Sequence, residues 1–377
     1  MIFGPEHDLL RQTVREFARR EVIPNLDRWE SAGEVPRELH HRAAAAGILG
    51  VGYPEEVGGS GGDGTHSMVV TEELIQAGAS SGLCAALFTH GIAIPHILAE
   101  GDRAQVERWV RPTLAGEKIG SLAVTEPDSG SDVAGLRTTA VRYGDHYVVN
   151  GAKTYITSGC RSDFVTTAVR TGGPGYGGVS LLVIERGTQG FEVSRKLDKM
   201  GWLCSDTAEL SFRDARVPFA NLVGEEGSGF KQIMRHFQSE RIGMATHAYA
   251  VGQRCLDLSI RWARERQSFG RRLVERQVIR HKLAEMARRV DVAREYTRAV
   301  LARHQRGEDV TVQVSMAKNT AVEACEFAVY QAVQIHGGFG YMRESEVERH
   351  YRDARILGIG GGTTEIMNEI VAARLGL

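Results

Sequence analysis

A chain of 377 residues with 46 Lys+Arg against 47 Asp+Glu is long enough for roughly two to three domains and an internal ligand cavity. Its balanced charge gives no case for nucleic acid or an anionic membrane surface as a partner. The five cysteines (Cys84, Cys160, Cys204, Cys255 and Cys325) show neither CxxC nor metal-ligand spacing, which argues against a disulfide framework or a zinc centre. No apolar run is long enough for membrane insertion, and the charged N-terminus from Glu6 does not read as a signal peptide. The expectation is a soluble, intracellular, cytoplasmic protein.

From Glu6 to Gly116 the pattern is helical. Leu9, Leu10, Val14, Phe17, Ala18 and Val22 form an amphipathic stripe that Pro24 is expected to close, and a second helix follows Pro36. Residues 53–64 form a glycine-rich loop without the lysine of a phosphate-binding loop, and helices resume from Thr65 to Leu114. Near Ile119 the character changes. Short β-branched runs now alternate with turn residues: 121–125, 138–142, 147–149, 154–157, 164–169, 179–185, 191–194 and 208–212. Such short strands without intervening helices predict an antiparallel β domain. After Pro218 helices return over about 228–266, 275–305, 310–336, 343–357 and 363–375, the pattern of an up-and-down bundle. The predicted fold class is mainly α with a central antiparallel β domain. Its divisions fall at 1–117 (helical), 118–222 (β, barrel-like) and 223–377 (four-helix bundle).

Four segments carry chemistry-bearing residues. LAVTEPDSGSD (122–132) ends a strand in a loop rich in hydroxyls, and GAKTYITSG (151–159) places Tyr155 and Thr157 on one strand face. RERQSFG (264–270) is followed by Gln277, and QIHGGFGY (334–341) precedes GGGTTEI (360–366), two glycine turns at helix ends. Each alone is equally an ordinary polar loop, strand face or helix cap. A fifth feature is Glu240. Ile233, Phe237, Met244, Ala248, Val251 and Cys255 share one helical face with it, and a carboxylate on an apolar stripe is costly unless paired or used. It is either a buried ion-pair partner or a general base whose pKa burial raises.

Taken together and in this order, TEPDSGSD, GAKTYITSG, RQSFG, QIHGGFGY and RDARILGIGGGTTEI resemble the acyl-CoA dehydrogenase family of flavoproteins over the whole chain. The resemblance implies FAD as cofactor and α,β-dehydrogenation of an acyl-CoA thioester. It implies flavin contacts from Leu122, Val124, Thr125 and Ser131, and from Tyr155, Ile156 and Thr157 on the other side of the ring. Arg266, Phe269 and Gln277, with Gln334, Ile335, Gly337 and Gly338, would hold the FAD of an adjacent subunit. Thr363 and Glu365 would finish the site, and Ser131, Arg241, Gly361 and Gly362 would meet the substrate. A homotetramer and an electron-transfer flavoprotein as acceptor are implied as well.

One position departs from the common pattern. Most of the family carries a Glu catalytic base immediately before the Gly-Thr of the last turn, where this chain has Gly361. The isovaleryl-CoA and long-chain branches have a small residue there and a Glu-Arg pair on a bundle helix. Glu240-Arg241 matches that pair, so Glu240 inherits the role of base. Gly360 and Gly361 leave space for a branched or bulky acyl chain. Trp202 reads equally as a pocket edge or a domain-interface aromatic. A carrier-protein thioester as substrate, or a non-catalytic FAD-binding scaffold, are the competing readings.

Overall fold

Proline and glycine set the limits of the first helices. In the computed structural model, which describes residues 3–377, α1 (Pro5–Phe17) opens with proline in its first turn. Pro24 deforms the chain without stopping it. The helix relaxes into a π turn over Ala18–Val22 and a 3-10 turn over Ile23–Asn25, then resumes as α2 (Leu26–Ala32), which ends at left-handed Gly33. The missing N–H of Pro24 is absorbed by those looser turns. After α3 (Glu38–Ala45), Asp63 caps α4 (Gly64–Gln76) by accepting from Thr65 N at 2.9 Å. Shorter helices follow: α5 (Ser81–Leu87), α6 (His90–Ala93), α7 (Pro95–Glu100), α8 (Arg103–Gln105) and α9 (Arg111–Leu114).

Seven strands then form one curled sheet: β1 (Gly120–Ala123), β2 (Thr139–Tyr143), β3 (His146–Thr157), β4 (Phe164–Arg170), β5 (Val179–Glu185), β6 (Phe191–Lys196) and β7 (Thr207–Pro218). Its order is β1-β4-β2-β3-β7-β6, with β5 on β4. Most pairs are antiparallel, but β1 runs parallel to β4, so the sheet is mixed. The runs expected at 147–149 and 154–157 belong to a single strand, β3. Two register shifts against β7 interrupt it, after Val149 and after Lys153. A bulge keeps the ladder going where alternation in the sequence breaks down.

The remaining chain is a hairpin, β8 (Gln267–Ser268) and β9 (Arg271–Arg272), set among long helices: α10 (Gly229–Glu265), α11 (Gln277–Gln305), α12 (Thr311–His336), α13 (Glu346–Ala354) and α14 (Thr364–Leu375). Helices α10, α11 and α12 pack on one another, α4 lies against α10, and α14 against α12. The 37-residue α10 spans two cores. Ile233 near its start packs with Ile94, Trp109, Phe164 and Val183 under the sheet, while Ala248, Val251 and Cys255 enter the helical core. Glu240 lies between them. Among the described residues no single helix is long and apolar enough to cross a membrane.

Candidate active site

Along the apolar face of α10, Ile233, Ala248, Val251 and Cys255 are fully buried, while Phe237, Glu240 and Met244 are only partly covered. Glu240 therefore lies in the partly open middle of the stripe, between Phe237 and Met244. Burial pushes its carboxyl pKa up to about 7, against the pull of Arg241 and Lys318. Among the described residues it makes no hydrogen bond or ion pair. Arg241 does not neutralise it. That side chain is buried, stacks its guanidinium over Phe237 at 5.5 Å, and donates from Nε to Gly361 O at 3.1 Å. That cation holds the last turn through Nε, while its two terminal nitrogens make no hydrogen bond among the described residues.

That turn lies directly over the carboxylate. Gly361 and Gly362 are left-handed, with φ of +63° and +93°, and a Cβ added at Gly361 would lie 3.4 Å from Glu240 Oε1. The glycine position in the loop and the carboxylate on the helix thus address one spot. The same Cβ would fall 2.5 Å from Met244 Sδ. Gly361→Ala is expected to cost about 1–2 kcal/mol through the left-handed backbone alone, and to displace Met244 as well. Thermal melting checks this: adding Met244→Ala should relieve the contact and leave the backbone cost.

The two sheet motifs are joined underneath. Lys153 is fully buried and donates from Nζ to Glu126 Oε1 at 2.8 Å and to Val124 O at 3.0 Å. Glu126 also accepts from Thr138 N at 2.9 Å and Arg137 N at 2.6 Å. Thr125 and Thr154 bond to each other in both directions, so the end of β1 is tied sideways to the bulge in β3. At that bulge Tyr155 is left-handed (φ +61°) and 71% exposed. The bulge turns Tyr155 out while Ile156 enters the sheet core. Ile156 therefore offers only its backbone to a ligand, and Thr157 is half-buried. Leu122 and Thr125 are partly covered, Val124 is buried, and Ser131 is exposed.

At the far end of α10, Trp262 stacks on His336 at 4.9 Å and on Phe339 at 5.3 Å. These stacks gather Arg266, Phe269 and Gln277 to the same end of the bundle as Gln334, Ile335, Gly337 and Gly338. Phe269 sits 95% exposed at the hairpin tip. The 25 helical steps from Glu240 to Glu265 put the end of α10 about 38 Å along the helix. Thr363 caps α14, accepting from Ile366 N at 3.3 Å, and Glu365 is exposed in its first turn. Trp202 packs against the helical core and its backbone N–H donates to Asp353 Oδ1 at 2.6 Å, while its indole N–H is buried without a partner among the described residues.

Two residues here escaped the sequence reading. Met244 shares the Glu240 face but reads as ordinary core. Lys318, fully buried on α12, donates to Gly360 O at 2.7 Å and to Gly362 O. Its segment, 314–325, also carries Ser315, Asn319, Thr320 and Glu323, so nothing in the sequence marks the lysine as buried.

Family models cover nearly the whole chain: the N-terminal domain of acyl-CoA dehydrogenase at residues 4–117, the middle domain at 121–215 and the C-terminal domain at 227–376. This chain belongs to the acyl-CoA dehydrogenase family. It is 39% identical to the mitochondrial long-chain specific acyl-CoA dehydrogenase of Rattus norvegicus, over 99% of this chain and 87% of that protein. An acyl-CoA dehydrogenase of Bacillus subtilis is 36% identical, over 98% of each. The crystal structure of a probable acyl-CoA dehydrogenase from Mycobacterium abscessus superposes with a TM-score of 0.98, at 68% identity and 99% coverage of both chains.

The family's enzymes are FAD-dependent oxidoreductases, and this chain is one. Its residues suit that cofactor. Gly130 and Ser131 N–H, the Ser131 hydroxyl and the Thr157 hydroxyl have no partner among the described residues. Such unspent donors match the many acceptors of a flavin ring and a pyrophosphate.

Proposed function

We propose that this enzyme removes the α-proton and β-hydride of an acyl-CoA thioester, giving a trans-2-enoyl-CoA, with Glu240 as the base. The observation that carries the reading is the unpaired Glu240 carboxylate beneath Gly361, with burial lifting its pKa to about 7. An α-proton next to a thioester is weakly acidic, and a carboxylate of raised pKa is a stronger base than one in water. The Gly361 N–H serves as the donor to the thioester carbonyl, because that role needs no side chain. FAD, when bound, supplies the acceptor for the β-hydride. Leu122 to Ser131 and Tyr155 to Thr157 hold its ring and pyrophosphate, while Thr363 and Glu365 complete the site.

Arg266, Phe269, Gln277 and the Gln334–Gly338 turn serve the FAD of a neighbouring copy, within a homotetramer. Their place at the far end of α10, which rises about 38 Å from Glu240 to Glu265, supports this. Electrons pass onward to an electron-transfer flavoprotein, and the enzyme works in the cytoplasm. Branched or bulky acyl chains are the proposed substrates, and they require Met244, which fills the place of a Gly361 side chain, to move aside.

An anaerobic screen of straight, branched and aromatic acyl-CoAs tests activity and substrate together. At least one should bleach the flavin absorbance. The bleaching rate at subsaturating substrate should rise with pH through about 7, because the base must be ionised to act. A rate that falls across that range would count against Glu240.

A further inference from the structure

Three consecutive carbonyls of the last turn are held from below by cations. Lys318 Nζ takes Gly360 O at 2.7 Å and Gly362 O, and Arg241 Nε takes Gly361 O at 3.1 Å. With all three oxygens drawn into the bundle, the Gly361 and Gly362 N–H groups have no acceptor among the described residues. Successive left-handed glycines with their amides unspent form the kind of concavity that receives an anionic oxygen. The charged groups facing Glu240 are Arg241 on its own helix and Lys318 across from α12, while the loop above, Gly360 to Thr363, carries none.

We propose that Lys318 is a positioning residue for the dehydrogenation. By holding the Gly360 and Gly362 carbonyls it aims the Gly361 amide at the thioester oxygen, and its positive charge favours the ionised form of Glu240. This rests on the reaction proposed above. The two tasks separate chemically. Holding two carbonyls needs two N–H donors, which a neutral amine retains, whereas the effect on Glu240 needs the charge. Burial and Arg241 lower the Lys318 pKa to about 8, so its charge is lost well below the ordinary lysine range.

The test compares FAD-loaded wild type with Lys318→Met, which removes donors and charge, and Lys318→Gln, which keeps two N–H donors without charge. In both variants the acid limb of the kcat/KM profile should move up by about one pH unit, as expected on losing one nearby cation. At a pH above that limb, Lys318→Met should lose kcat on the order of 100-fold through misplacement of the amide, and Lys318→Gln distinctly less. The carbonyl stretching band of bound trans-2-octenoyl-CoA labelled with 13C at C1 reports polarisation without turnover. It should return toward its free frequency in Lys318→Met. If Lys318→Met fails to retain FAD, Lys318→Gln alone carries the acid-limb test. An unmoved acid limb with an unmoved carbonyl band, in either FAD-loaded variant, overturns the proposal. If wild type itself bleaches with no acyl-CoA, the proposed reaction fails; if wild type and both variants behave alike, only the role of Lys318 does.

Discussion

Replacing Glu240 by Gln should leave a yellow, folded, FAD-loaded protein whose flavin no longer bleaches with acyl-CoA. Removing a general base costs typically 10²–10⁴-fold, and here no second carboxylate is at hand, because the alternative position is Gly361. The expected loss is at the upper end, about 10⁴-fold. A second readout has the opposite sign. Burial raises the Glu240 pKa, so between about pH 4.5 and 7 the folded state binds more protons than the unfolded chain. Stability owed to this group therefore falls as pH rises through that window. Glu240→Gln lacks that slope, so relative to wild type its melting temperature should be higher at pH 8 than at pH 5.5. A variant that loses activity and also melts lower at both pH values would point to a structural role instead.

The second large effect concerns the sheet. Lys153→Met should destabilise the protein by about 3–5 kcal/mol, because it leaves the Glu126 carboxylate buried and without its cation. Burial alone would raise the Glu126 carboxyl, and it is Lys153 with the Thr138 and Arg137 N–H groups that holds it below its ordinary value. The loop from Val124 to Ser131 loses its anchor in the same change, since Lys153 also bonds Val124 O. Flavin content per subunit should fall with the melting temperature. Adding Glu126→Gln removes the stranded charge and should recover much of the stability. Equal melting of wild type and Lys153→Met would show that the pair contributes nothing.

The limits of the long helices were legible because glycine turns and apolar periodicity agree over many residues. The 37 residues of α10 are the clearest case. Glu240 was legible for the same reason, as a carboxylate on a periodic apolar face. Where packing decides, the sequence said less. The bulge at Tyr155 depends on how β3 meets β7, and the parallel pairing of β1 with β4 joins residues more than forty apart in the chain. Pro24 carries a stop signal locally, but Val22, Leu26 and Trp29 on either side of it are all buried in one core. Lys318 could not be told from a surface lysine, because its partners are backbone carbonyls more than forty residues downstream.

The most direct measurement is the pH dependence of anaerobic flavin bleaching, wild type against Glu240→Gln, with the best acyl-CoA from the screen. Wild type should bleach with a rate that rises through about pH 7, while Glu240→Gln with full FAD stays yellow at every pH. Bleaching of Glu240→Gln at the wild-type rate would contradict the assignment of the base.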